Sequence, residues 1–260
     1  MKKLSFLLCV CLCLSATALE ISEVHEKVIE NTVKHYSSIL KQDFTVNINC
    51  PQIFGLINGM LFAQAKAAGA PANVPIPSIS YVRRTHKASK NQDKYDIGWG
   101  RKLPKEMLAQ AQDKIDSQLD AFGEMCSALT LDGLKDIAEL ASDNTCKLLQ
   151  ENPNQFVVTI SGLDEEFTEG MKVIGANICF NKRFNTVDFV SLKLLGGKNI
   201  DITINHQKIN GDNGNKYGAV PVRIVIKNNL QKQVGGMAIP PQLNFNLGNY
   251  NFASRGDMGM

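Results

Sequence analysis

The chain has 260 residues, 44% of them hydrophobic, with 28 Lys+Arg against 25 Asp+Glu and a net charge of +3. That length fits one large domain or two small ones. So even a charge balance gives no electrostatic ground for a nucleic-acid partner.

The first eighteen residues read as an export signal. Lys2 and Lys3 form a positive n-region, Leu4 to Leu14 is an almost unbroken apolar run, and Ser15-Ala16-Thr17-Ala18 supplies the small residues a signal peptidase reads. Cleavage is expected near Ala18, before Leu19, giving a periplasmic or secreted protein. As an uncleaved helix the 11-residue run would reach only about 16 Å, against a hydrocarbon core of roughly 30 Å. Cys9, Cys11 and Cys13 follow bulky residues, so a lipobox is absent. Two of the 28 basic residues lie in this segment, leaving 26 against 25 acidic ones in the mature chain.

Glu20 to Leu40 has the period of an amphipathic helix, with Ile21, Val24, Val28, Ile29, Val33, Tyr36 and Leu40 on one stripe. Asp43 to Cys50 alternates as a half-buried strand, which Pro51 ends. Ile53 to Ala68 is an apolar helix with few polar positions. It runs into the proline-bearing connector Gly69 to Pro77, so that 53–77 stands as an apolar insertion. Strands follow at Ser78 to His86 and around Tyr95 to Trp99.

Pro104 opens a helix expected to run to Ala128, and Thr130 or Asp132 starts a shorter one through Leu140. From Cys146 onward the period changes to two. Strands are expected at 146–150, 155–162, 173–181, 187–195, 200–209, 220–227 and 243–247, separated by short turns rich in Asn and Gly. Links of hairpin length require antiparallel pairing. The fold class is therefore α+β: an antiparallel meander forming a curved sheet or incomplete barrel covered by helices, as one domain over 19–252 with a loose tail at 253–260.

Four cysteines remain in the mature chain, Cys50, Cys126, Cys146 and Cys179. In an oxidising compartment they allow two disulfides in any of three pairings, or stay as buried thiols. No C-x-x-C occurs, which argues against a zinc site or a thioredoxin-type centre. The four histidines lack metal-ligand spacing, and neither a G-x-S-x-G elbow nor a P-loop is present. His206 shares the face of Ile200, Ile202 and Ile204 and reads as a satisfied inward imidazole. Asp164-Glu165-Glu166 with Glu169 lacks the alternating ligands of a calcium loop and reads as a solvated turn. Asn210 to Asn215 is a loop tip. No enzyme activity, cofactor or metal is expected.

Two features point to function. Ile53 to Ala68 reads as a core helix, as a lid over an apolar cavity, or as a weaker membrane contact. Arg83 and Arg84, with Lys87 and Lys90 beyond, could meet an anionic head group. Strand alternation allows at most one of the two arginines to face a cavity, and a solvated edge is the plainer reading.

The order of signal peptide, N-terminal helix, Asp43-Phe-Thr-Val strand, helical insertion and long meander resembles the periplasmic lipoprotein-carrier (LolA-like) family. The meander from Cys146 through Phe156-Val-Val-Thr-Ile-Ser161, Ile174–Asn181, Phe189–Leu194 and Ile200–Ile209 looks like that family's successive hairpins. Neither Arg83 nor Arg84 aligns securely with the family's lid-contacting arginine. The resemblance implies an incomplete barrel around an apolar cavity that carries a lipid or acylated protein and meets an envelope membrane partner. The lid and cavity candidates are then Phe54, Ile57, Leu61, Phe62, Phe156, Val158, Phe189 and Ile202. The other reading is a secreted structural or interaction module with a filled core, whose polar outer face carries Asn244, Asn246, Asn249 and Asn251.

Overall fold

In a computed structural model of the chain, the described residues are 19–67, 69, 78–90, 92–100, 130–168, 171–210, 216–228, 233–234, 237–238 and 240–252. The expected signal segment 1–18, the expected helix 104–128 with Cys126, the connector 70–77 and the tail 253–260 lie outside them.

The elements run β1 (Leu19–Glu20), α1 (Glu23–Leu40), β2 (Phe44–Asn49), α2 (Pro51–Ala67), β3 (Ile79–Lys87), β4 (Gln92–Trp99) and α3 (Leu131–Asp143). Then come β5 (Lys147–Glu151), β6 (Gln155–Thr168), β7 (Met171–Asn181), β8 (Thr186–Leu194), β9 (Lys198–Asn210), β10 (Lys216–Asn228), β11 (Gln233–Val234), β12 (Met237–Ala238) and β13 (Gln242–Phe252). The fold is α+β. Eleven strands form one antiparallel sheet in the order β1-β5-β6-β7-β8-β9-β10-β13-β2-β3-β4, which does not close into a barrel. Strands β11 and β12 make a separate two-stranded hairpin.

The run β5 to β10 is the meander expected from the period-two pattern, and local turn chemistry builds it. At the β5–β6 turn the Asn152 side chain accepts from the amides of Asn154 and Gln155. Asn181 does the same for Arg183 and Phe184 at the β7–β8 turn, which closes on Asn185 at φ 50°. Gly196 and Gly197, both at positive φ, make the β8–β9 turn.

One face of the sheet is an apolar ladder. Val158, Ile178, Val190, Ile202, Ile226 and Leu243 pair in succession across β6, β7, β8, β9, β10 and β13. Leu247, Ile48, Val82 and Ile97 continue it through β13, β2, β3 and β4. The opposite face is polar, with Asn205, Arg223 and Asn246 in one exposed row.

Helices α1 and α3 pack on each other and cover the apolar face. Helix α1 buries His25, Ile29, Thr32, Tyr36 and Ile39. At its first turn the buried position is His25, whereas Val24, expected on the stripe, is 67% exposed. The reason is local: His25 Nδ1 accepts from the Ser22 amide at 3.1 Å, and the ring packs on Phe156 with centroids 4.6 Å apart. The cap takes the place that hydrophobic periodicity gave to Val24. In α3 the small Ala138 and Ala141 are fully covered, which lets α1 approach closely.

Candidate functional site

Arg84 is the largest fully buried side chain among the described residues. It sits mid-strand in β3, opposite Val46 of β2 and Tyr95 of β4, on the helix-covered face. Its Nη1 donates to the Thr130 hydroxyl at 2.7 Å, and its Nη2 donates to Asp93 at 2.7 Å and to Asp132. Its guanidinium lies over the Phe44 ring, 5.5 Å from the centroid. Thr130 and Asp132 form the start of α3 and Asp93 lies on β4, so one guanidinium fastens a helix to two strands. Arg83 points the other way. It is exposed and bonds Asn47 on the polar face at 3.1 Å. Of the two arginines, therefore, only Arg84 leaves the solvated edge expected from sequence. It does so because β3 puts positions 82, 84 and 86 on the covered face.

His86 extends the clamp. Its Nδ1 lies 2.9 Å from Asp93 Oδ1 and its Nε2 lies 2.8 Å from the Leu40 carbonyl, the last residue of α1. Its ring stacks on Phe44 at 4.9 Å. Burial works to raise the Asp93 pKa, but the hydrogen bonds from His86 and Arg84 outweigh it and hold the carboxyl below its ordinary range. Among the described residues no acceptor meets Arg84 Nε, so the clamp is incompletely satisfied.

A second polar chain crosses the opposite half of the same face. The β7–β8 pair carries a register shift between Cys179 and Phe180, which makes Asp188 the extra residue of a bulge. The Asp188 carboxylate accepts from Gln155, Asn181 and Thr186, and its Oδ1 stands 3.5 Å from His206 Nδ1, outside hydrogen-bond geometry. His206 Nε2 lies 3.2 Å from the Tyr36 hydroxyl, which accepts from the Val187 amide at 2.9 Å. The hydroxyl proton then has His206 Nε2 as its acceptor, which leaves the ring proton on Nδ1 facing Asp188. Burial drives the Tyr36 pKa far up, so the phenol stays neutral. His206 is thus inward, as expected from the Ile200 to Ile204 face, but only its Nε2 is hydrogen-bonded, and it is seated against a helix and a bulge that no local pattern indicates. Replacing Tyr36 by Phe is expected to lower stability by about 1–3 kcal/mol, because the buried Val187 N–H loses its acceptor. Urea denaturation of the two proteins measures it.

The candidate lining residues separate into three groups. Phe156, Val158 and Ile202 share the apolar ladder and are 1%, 0% and 5% exposed. Phe189 does not join them. It pairs with Cys179 and Thr203 on the polar face and is half-buried there, because the bulge at Asp188 reverses the alternation after Val187. Phe54, Ile57 and Phe62 belong to α2, which docks through its N-terminal half. Phe54 is buried and Ile57 half-buried. The Asn58 side chain bonds both the amide and the carbonyl of Ile79 at the start of β3, and Gln52 accepts from the Asn244 amide of β13. Further along, Phe62 is 55% exposed. The Leu61 side chain lies outside the described ones.

Cys50, Cys146 and Cys179 are free, buried thiols, so no disulfide joins any two of them. Burial pushes the Cys146 and Cys179 thiols up to about 11, which leaves them unreactive near neutrality. Of the acidic run at 164–169, Glu169 lies outside the described residues. Among the described residues no group of three His, Cys, Asp or Glu side chains is placed to hold a metal. No helix described is long and apolar enough to cross a membrane. Comparison with protein-family models, with curated proteins and with solved structures returns no match to this chain.

Proposed function

We propose that the chain is an exported, non-enzymatic carrier that takes an acyl chain of a lipid or lipidated protein between the apolar sheet face and its helices. The observation that carries this reading is the way the cover is attached. An open sheet presents a continuous ladder of Val, Ile, Leu and Phe, and the helices over it are fastened at the β3–β4 end by ions and hydrogen bonds centred on Arg84. A buried guanidinium costs several kcal/mol to desolvate, and its attachment is lost as a unit once the geometry loosens. Each acyl methylene moved from water onto the ladder gains about 0.8 kcal/mol, so a single chain competes with the helices for that surface.

The protein purified from host membranes is expected to carry a lipid-sized adduct in native mass spectrometry, and to take up a fluorescent fatty acid after delipidation. Adduct-free protein that also fails to take up the probe overturns the proposal. The exposed Phe62 and Leu56 on α2 favour a second reading, a secreted interaction module with a filled core. Phe62→Ser with Leu56→Ser separates the two. Loss of a captured protein partner with unchanged lipid content supports the module, and the reverse supports the carrier.

A further inference from the structure

We propose that His86 is held in the fold as an imidazolium and serves as a proton-dependent latch, tying the end of α1 to β4 and loosening the helical cover as the pH rises. The assignment follows from what the two ring nitrogens meet. Nδ1 faces a carboxylate oxygen of Asp93 at 2.9 Å, and Nε2 faces the Leu40 carbonyl at 2.8 Å. Both partners only accept. A neutral imidazole carries one N–H and would set a lone pair against one of them, whereas the cation donates to both. With the ring 2% exposed, water cannot replace the missing bond.

One further feature asks for a cation at this place. Helix α1 has no basic residue in its last turn, and Lys41 follows only as the C-cap. His86 meets the Leu40 carbonyl from the sheet, at the negative end of the helix dipole.

The groups around the ring come from each element packed on it. They are Asp93 on β4, Arg84 on β3, and the exposed Lys87–Asp43 ion pair where β3 meets the start of β2, with Asp132 of α3 beyond Arg84. Phe44 from β2 closes the remaining side as an uncharged ring. Burial and Arg84 disfavour the charge, but Asp93 and the Leu40 carbonyl prevail, so the His86 pKa is raised. A raised folded value makes the latch fully effective below the unfolded value of about 6.5 and weakens it as the pH climbs through the folded value. Asp93, held low, stays charged throughout that window. The latch does not depend on what the covered face carries.

The test uses the full mature chain labelled with 15N. At pH 6 both His86 ring nitrogens should show protonated chemical shifts, with a titration midpoint above the ordinary histidine value. Urea denaturation from pH 6 to pH 9 should then show the wild-type folding constant falling relative to His86→Gln. The expected loss is about tenfold for each unit by which the folded pKa exceeds the unfolded one. An unprotonated ring nitrogen at pH 6, or equal pH dependence in the two proteins, overturns the proposal. If His86→Gln does not fold, the ring shifts of the wild type decide alone.

Discussion

Arg84→Ala is expected to destabilise the protein by about 3 kcal/mol and to free the start of α3 from the sheet. Removing one partner of a buried ion cluster costs about 3–5 kcal/mol, because the charges left behind lose compensation that water does not fully replace. The lower end applies here, since Asp93 and Asp132 keep 20% and 34% of their side-chain surface in water and recover part of their hydration. The loss of the guanidinium stem over Phe44 adds to it. Urea denaturation gives the magnitude, and hydrogen exchange across Leu131–Asp143 shows whether the loss is local to α3 or global. Replacing the whole cluster, as Arg84→Met with His86→Leu, Asp93→Leu and Asp132→Leu, should restore most of the stability, because apolar residues need no compensating charges. On the carrier reading this quadruple variant holds its cover shut and loses lipid uptake while remaining well folded. Uptake equal to the wild type would show that Arg84 does not control access.

What could be read from the sequence follows how far each signal reaches along the chain. Period-two alternation and Asn or Gly turns are local, and they placed β6 to β10 and their antiparallel order. The start signal at Thr130 or Asp132 and the apolar run from Ile53 are local too, and both helices form. Pairing of β13 with both β10 and β2 is not local. It joins Asn246 to Asn49 across the whole length of the domain, and nothing in either strand announces the other. The same holds for Arg84, whose partners Thr130 and Asp132 are 46 and 48 residues away. The parity of 82, 84 and 86 along β3 puts Arg84 and His86 on the face of Val82, and that alternation was the available signal. Phe189 went astray through the bulge at Asp188, since one inserted residue sends every later side chain of β8 to the opposite face.

That reversal gives the second large effect. Phe156→Ala is expected to cost about 3–5 kcal/mol, the usual range for emptying a fully buried phenylalanine site. Its ring is 1% exposed, stacks on Phe180 at 5.4 Å and packs at a tilt against His25 at 4.6 Å, so it joins the apolar ladder to the start of α1. Neither neighbour can collapse into the gap, because Phe180 is fixed in β7 and His25 by its bond to Ser22. Phe189→Ala removes the same side chain from a half-buried place on the polar face, and should cost about 1–2 kcal/mol through lost area alone. Paired urea denaturation curves check both values, and equal losses at the two sites would show that the faces are assigned wrongly. For an acyl chain the consequences diverge as well. The space opened by Phe156→Ala lies on the face where the carrier reading places the lipid, so it should lengthen the fatty acid retained best. Phe189→Ala, on the far side of the sheet, should leave the preferred chain length unchanged.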